Sequence, residues 1–260
     1  MPMPRNLIGG GLIMAVITVA EQKGGIGKTT LAVGIAQYLS EIEHKSVLFV
    51  PLDNQGRTAK RVFNLKDNLR VLNGMFFNEP YDIQQVNENL SSLYSDRTIH
   101  NLDRAEIENS FNFAQEIKKL KTQYDYIVID TPPGLSSRIT AAVLAADHIV
   151  VPLECTTEAI EGMVELRDTI RKLTRYNPRA KINSLVVNKF NNTQEQREIY
   201  DFLAERFGDI LIDVVIPDVQ PIKTAGAAGR AIWHQARNGN HRKAAKIVKS
   251  VISRIVEKVN

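Results

Sequence analysis

The sequence predicts a doubly wound α/β fold, with a mainly parallel sheet and helices on both of its faces. Three observations predict it. Short β-branched runs alternate along the chain with segments of helical periodicity. Most of those runs are continuously apolar rather than alternating, as strands buried on both faces are. A glycine-rich turn joins the first run to the first helical segment.

Taken in order, the expected strands are Ala15–Ala20, Val47–Leu52, Tyr126–Asp130, Ile149–Leu153, Leu185–Asn188 and Val214–Ile216. The first helix is expected over Lys28–Leu39, where Leu31, Ile35 and Leu39 recur every four residues. Ile107, Phe111, Ala114 and Ile117 form a second stripe. It runs into Lys118, Lys119 and Lys121, cations that suit a helix C-terminus. Thr157–Leu173 and Gln194–Phe207 follow the same pattern, and a last helix is expected from about His241 to Val259. Residues 54–100 are the least periodic part and are read as a place for partner specificity. There is no internal repeat, low-complexity block or linker, so residues 14–260 read as one domain.

Composition narrows the function classes. The 260 residues are 43% hydrophobic, enough for one large core. Cys155 is the only cysteine, which rules out an internal disulfide and fits a reducing, cytoplasmic setting. With no histidine near it, Cys155 reads as a packed thiol rather than a nucleophile. The five histidines have no metal-site spacing. Trp233 reads as a core or interface residue more readily than as a base-stacking platform. Arg5 and the apolar stretch Leu7–Ala20 have the outline of a secretory signal, but cleavage would remove the first strand. Residues 1–13 are therefore read as an N-terminal extension, with Met14 as an alternative start. No apolar run reaches the ~20 residues of a membrane span.

Charge is unevenly distributed. The chain carries +4 overall, but residues 221–260 hold nine basic residues against Glu257 alone, a net +8. A basic tail on a slightly acidic body points to a polyanionic partner, with a merely solvated helix face as the plain alternative. On the last helix an apolar stripe (Ala244, Ile247 or Val248, Val251 or Ile252, Ile255 or Val256, Val259) is flanked by Lys243, Lys246, Lys249 and Arg254. That stripe is β-branched and has no Phe, Trp or Leu to enter lipid. It favours a packed helix with its basic side toward DNA over a membrane-bound one. Arg242, Lys243, Lys246 and Lys249 are the candidate DNA contacts.

The chemistry lies in Lys23-Gly24-Gly25-Ile26-Gly27-Lys28-Thr29-Thr30, which follows a strand and opens a helix. Glycines let backbone N–H groups turn inward around phosphate oxygens, and the helix N-terminus adds its dipole. Lys28 would reach the β- and γ-phosphates of a bound nucleotide, and the Thr29 hydroxyl would take one Mg²⁺ position. The usual G-x-x-x-x-G-K-[ST] pattern fails at its first glycine, which is Gln22 here, and a second lysine, Lys23, appears instead.

This loop resembles the deviant phosphate loop of the ParA/MinD family. Val47–Gly56 (VLFVPLDNQG) is similar to the family's second motif, and Tyr124–Pro133 (YDYIVIDTPP) to its Walker B strand and switch. Val187-Asn188-Lys189 resembles the base-recognition strand, and Ile216-Pro217-Asp218 the turn after it. The resemblance implies a P-loop NTPase using ATP and Mg²⁺, and it implies a role for each residue. Lys23 would cross a dimer interface to the partner's nucleotide, and Thr30 would touch the α-phosphate. Asp130 would hold Mg²⁺ through water, and Asp53 would orient the attacking water. Asn188 would read the adenine edge, with Pro217 and Asp218 lining the base pocket; a turn asparagine is the alternative for Asn188. One departure stands out: Pro51 replaces the first of the family's two aspartates, and Asn54 replaces its proline, which puts metal affinity and turnover in doubt.

For function the resemblance implies an ATP-dependent homodimer of the short ParA kind, a slow ATPase. It would bind nonspecific DNA on the nucleoid and be stimulated by a ParB-like or other small adaptor, in plasmid or chromosome partition or cargo positioning. The alternatives are a MinD-like membrane switch and a metabolic P-loop ligase.

Overall fold

The computed structural model describes residues 14–53, 58–66, 68–228, 231–235 and 238–260. The N-terminal extension, Asn54, Arg230 and Arg237 lie outside them. The chain runs β1 (Ala15–Val19), α1 (Lys28–Glu41), β2 (Val47–Pro51), α2 (Thr58–Phe63), α3 (Gly74–Phe77), β3 (Ile83–Gln85), β4 (Leu90–Leu93), a 3₁₀ turn (Arg97–Arg104), α4 (Ile107–Leu120), β5 (Tyr126–Asp130), α5 (Ser137–Ala145), β6 (His148–Leu153), α6 (Thr157–Leu173), β7 (Lys181–Val187), α7 (Gln194–Phe207), α8 (Gln220–Ala228), a second 3₁₀ turn (Ile232–Gln235) and α9 (Gly239–Val259).

Among the described residues the strands form one seven-stranded sheet in the order β3-β4-β2-β5-β1-β6-β7. Every pair is parallel except β3 with β4. The expected mainly parallel, doubly wound sheet is therefore the fold. Both faces of β1 are buried. Ile17 and Val19 pack with Ile35 of α1 and Ile252 of α9, while Val16 packs with Leu48, Ile127 and Phe113 on the other side. Continuous apolar strands are the direct consequence.

Register matters most at the carboxyl end of the sheet. Asp130 pairs with Val19 of β1 on one side and with Pro51 of β2 on the other. Three strand ends, and the loops that leave them, therefore meet at one place. β1 also sits where the strand order reverses, between β5 and β6, and open α/β sheets bind ligands in the crevice at such a point.

The expected strand at Val214–Ile216 is corrected. The segment runs beside β7 and Ile216 N donates to the Val187 carbonyl at 2.9 Å, but only the isolated bridges Leu185–Leu211 and Phe190–Pro217 form. A bend at Asp213–Val214 breaks the ladder, and Pro217 has no N–H to extend it.

The apolar stripe of α9 is part of the core: Val251, Ile252, Ile255 and Val256 are buried. Gly34 of α1 makes room for it, since a Cβ there would lie 3.1 Å from Ile252 Cδ1. No helix among the described residues is long and apolar enough to cross a membrane.

Candidate nucleotide site

The loop from β1 to α1 is built on two left-handed glycines, Gly25 at φ +75° and Gly27 at φ +91°. Gly27 is doubly constrained, because a Cβ would lie 2.6 Å from Asn188 Nδ2. Asn188, the residue after β7, donates from Nδ2 to the Ile26 carbonyl at 2.7 Å, and Lys189 N donates to its Oδ1 at 2.9 Å. Asn188 thus ties the loop to the end of a distant strand. From the other side Gly134 N donates to the Gln22 carbonyl at 2.8 Å, and Pro133 Cβ lies 3.8 Å from where a Cβ on Gly24 would stand. The loop is held between β7 and the turn that follows β5.

The two loop lysines sit in different surroundings. Lys28 is 5% exposed and donates to the Lys23 carbonyl at 2.8 Å. Burial pushes its ammonium below the usual lysine range, opposed by Asp130, Asp53 and Glu21. Lys23 is half-buried at the loop's edge, with Nζ 3.5 Å from the Thr156 hydroxyl that caps α6.

Asp130 is 1% exposed, and no well-formed hydrogen bond reaches either of its carboxylate oxygens, although the Thr29 hydroxyl stands near them. Burial, then repulsion from Asp53, pushes its pKa up to about 8; Thr29 and Lys28 act in the opposite direction. An orphaned buried carboxylate beside a second carboxylate and a hydroxyl is a hard-oxygen donor set, and it fits Mg²⁺. Among the described residues there is no group of three or more His, Cys, Asp or Glu placed to hold a metal ion by itself. Mg²⁺ does not need one, because it uses one or two carboxylates with waters and substrate phosphates.

Beside the loop opens a cavity of about 220 Å³. Gly25, Gly27, Thr29, Thr30, Asn188, Pro217 and Asp218 line one part of it. Ile222, Trp233 and Val248 are among its apolar lining residues. Thr30 is touched by α8, where a Cβ on Gly226 would lie 3.0 Å from its hydroxyl. Asp218 pairs with Lys223 at 2.8 Å. Every loop residue expected to bind nucleotide, together with Asp53, Asp130, Asn188, Pro217 and Asp218, is thus brought to one end of the sheet.

The basic residues of α9 divide into two groups. Arg242, Lys243 and Lys246 are exposed. Lys249 is partly buried, with its ammonium 5.4 Å from the centroid of the Trp233 ring. Arg254 pairs with Asp213 and Glu257, and Lys258 donates to the Asp209 carbonyl. Trp233 is partly buried and packs against α1: Nε1 donates to Glu41 at 3.1 Å and its ring meets Tyr38 edge-on. Cys155 is buried, and burial pushes its thiol up to about 11.

Sequence reasoning missed Glu21, Arg138 and Thr156. Glu21 is 1% exposed and accepts from Gln22 N at 2.7 Å; burial raises its pKa. Its signal was a carboxylate standing between a strand and a phosphate loop. Arg138, which bonds the Leu52 carbonyl beside Asp53, and Thr156, which caps α6 beside Lys23, lie far along the chain and left no local signal.

Comparison with known proteins places the fold in a family. A family model described as an AAA domain matches residues 14–184. The chain is 27% identical over 212 residues to the chromosome partitioning protein ParA of Myxococcus xanthus, covering 78% of this chain and 75% of that protein. It is 28% identical over 255 residues to ParA of Caulobacter vibrioides, covering 93% and 95%. The structure of an ATP complex of a Cyanothece McdA variant superposes with a TM-score of 0.81 at 18% identity, over 95% of this chain and 98% of that one. The chain belongs to this AAA-domain family, among the P-loop ATPases of the ParA/MinD kind.

Proposed function

We propose that the chain is an ATP-driven dimerising switch that positions DNA or another large cargo. The observation that carries the reading is the pair of loop lysines: Lys28 buried among the carboxylates, and Lys23 only half-buried at the edge. A cation at the edge can neutralise phosphate charge on a nucleotide held by a second copy facing it. ATP would lie with its phosphates in the loop of residues 24–30. Lys28 would contact the β- and γ-phosphates, and Thr30 the α-phosphate. Thr29 and Asp130 would hold Mg²⁺, which when bound neutralises charge developing on the phosphates. Asp53 would orient the attacking water. Asn188 keeps one amide hydrogen and one oxygen lone pair beyond its internal bonds, the pair an adenine edge needs. The backbone of Pro217–Asp218 would close the base pocket.

The ATP dimer would bind nonspecific DNA on the nucleoid, and a ParB-like or other small adaptor would stimulate hydrolysis. The buried stripe of α9 favours DNA over membrane as the surface it meets.

The test is mass by light scattering together with turnover. ATP, and not ADP, should give the dimer. Asp53→Ala should trap it and lower turnover by about 10²-fold or more, the scale of a misplaced catalytic group. Wild-type hydrolysis by that variant would mean the second motif has been misread. Lys23→Ala should keep ATP affinity within about threefold but lose the dimer or its turnover, since the lysine acts only once two subunits meet. An unchanged dimer with unchanged hydrolysis would make Lys23 an ordinary surface cation.

A further inference from the structure

Arg138, in the first turn of α5, is 4% exposed, yet it touches none of the proposed phosphate-binding groups. Each of its three guanidinium nitrogens makes a hydrogen bond. Nε and Nη2 donate to the two carboxylate oxygens of Asp103, at 2.8 and 2.7 Å. Nη1 donates to the main-chain carbonyl of Leu52 at 2.9 Å. Leu52 is the residue before Asp53, and its N–H donates to the Asp130 carbonyl at 2.9 Å. Leu52 is therefore held at both its N–H and its carbonyl, by the strand that ends in Asp130 and by α5, and its carbonyl belongs to the peptide that joins it to Asp53.

A buried arginine is costly unless its charge is paired, and a bidentate carboxylate with a third bond to a carbonyl pairs it and fixes the guanidinium plane in one orientation. Asp103 belongs to the 3₁₀ turn Arg97–Arg104, which is itself fastened to α5: the Ser137 hydroxyl donates to the Ala105 carbonyl at 3.2 Å. The neighbouring strand end is Pro51, which brings no side-chain donor or acceptor to hold this loop. Arg138 supplies the polar anchor there.

We propose that Arg138 is a positioning residue for ATP hydrolysis, holding the Leu52 carbonyl so that Asp53 is aimed at the reacting phosphate. The proposal rests on the reading of Asp53 as the group that orients water. Arg138 acts through the backbone and does not touch substrate. Its loss should lower the chemical step and leave nucleotide binding and dimerisation in place.

The experiment measures single-turnover hydrolysis, ATP affinity by calorimetry and ATP-bound mass. The variants are Arg138→Met, Arg138→Lys, Asp103→Asn, Asp53→Ala and the double variant Arg138→Met with Asp53→Ala. Arg138→Met should hydrolyse about 10²-fold more slowly, the scale expected when a catalytic group moves by about 1 Å. Its ATP affinity and dimer mass should stay within about threefold of wild type. Arg138→Lys keeps a charge and one possible bond to Leu52, so it should fall in between, as should Asp103→Asn. The double variant should be no slower than Asp53→Ala, because the two residues act on one step.

Wild-type hydrolysis in Arg138→Met would overturn the proposal. So would a loss confined to ATP affinity, or a double variant slower than Asp53→Ala. If Arg138→Met does not fold, Arg138→Lys and Asp103→Asn decide: reduced turnover at unchanged affinity supports the proposal, and wild-type turnover in both overturns it. Wild-type turnover in Asp53→Ala would instead remove the underlying reading of Asp53. Normal Arg138 variants beside a slow Asp53→Ala would remove only the role of Arg138.

Discussion

Replacing Lys28 with alanine should weaken Mg-ATP binding by on the order of 10² to 10³-fold, corresponding to roughly 3–4 kcal/mol, the scale of losing one partner of a buried, hydrogen-bonded charge pair. The size follows from where the lysine sits. It is 5% exposed at the head of α1, between a carbonyl of its own loop and the carboxylates of Asp130 and Asp53. A triphosphate arriving there brings negative charge to a site already lined by two acids. Without Lys28, the fixed cation within the loop is gone, and phosphate charge faces Asp130 and Asp53 directly. The backbone N–H groups and the helix dipole remain, so binding falls steeply rather than to zero. Calorimetry of the variant, with circular dichroism to show that the fold is kept, checks this. Unchanged affinity with unchanged turnover would remove the phosphate-loop assignment.

The same physics explains which parts of the molecule can be read from sequence. β1, β2, β5 and β6 are legible because burial on both faces demands an unbroken apolar run, and AVITV, VLFVP, YIVID and HIVVPL supply it. β3 and β4 are not, since IQQ and LSSL are short and polar; only their pairing with each other and with β2 makes them strands. Helix α5 hid behind the turn that follows β5, its start marked only by the Ser136 cap. Val214–Ile216 has strand-like residues but lacks the ladder partners that would make it one.

The phosphate loop was legible because its chemistry is local: eight consecutive residues carry the turn, the cations and the hydroxyls. The grip on Asp53 was not. Arg138 is 35 positions from Asp103 and 86 from Leu52, and nothing in the neighbourhood of any of them announces the other two. Lys249 is the converse case. Helical periodicity placed it with the other cations, and Trp233, sixteen residues earlier and close in space, turns its ammonium inward.

That division of α9 sharpens the expectation for DNA. Arg242, Lys243 and Lys246 are exposed near the start of the helix, and no acid shares that stretch: Glu257 is the only acidic residue from position 221 onward. One subunit offers three such cations, and an ATP dimer would present six on one rigid body. Each phosphate neutralised contributes roughly 0.9 to the slope of log affinity against log salt, so six would give a slope of about 5. Binding should then weaken about 10³-fold between roughly 50 and 200 mM salt, and vary little with sequence, because phosphate contacts carry no base information. Changing Arg242, Lys243 and Lys246 together to alanine should remove most of that slope. The same change should leave ATP hydrolysis unaltered, since α9 meets the sheet through its opposite, buried face. Lys249→Met separates charge from position. It deletes one cation from the tail but one that already lies over an aromatic ring, so the salt slope should stay near wild type while thermal stability falls slightly, by about 0.5–1 kcal/mol. A salt titration of DNA binding with ATP and with ADP reads all of this. Absence of binding at low salt with ATP, or equal binding by the triple variant, would sink the assignment of this face to DNA. A slope that falls as much for Lys249→Met as for the triple variant would show that net charge, and not this face, does the binding.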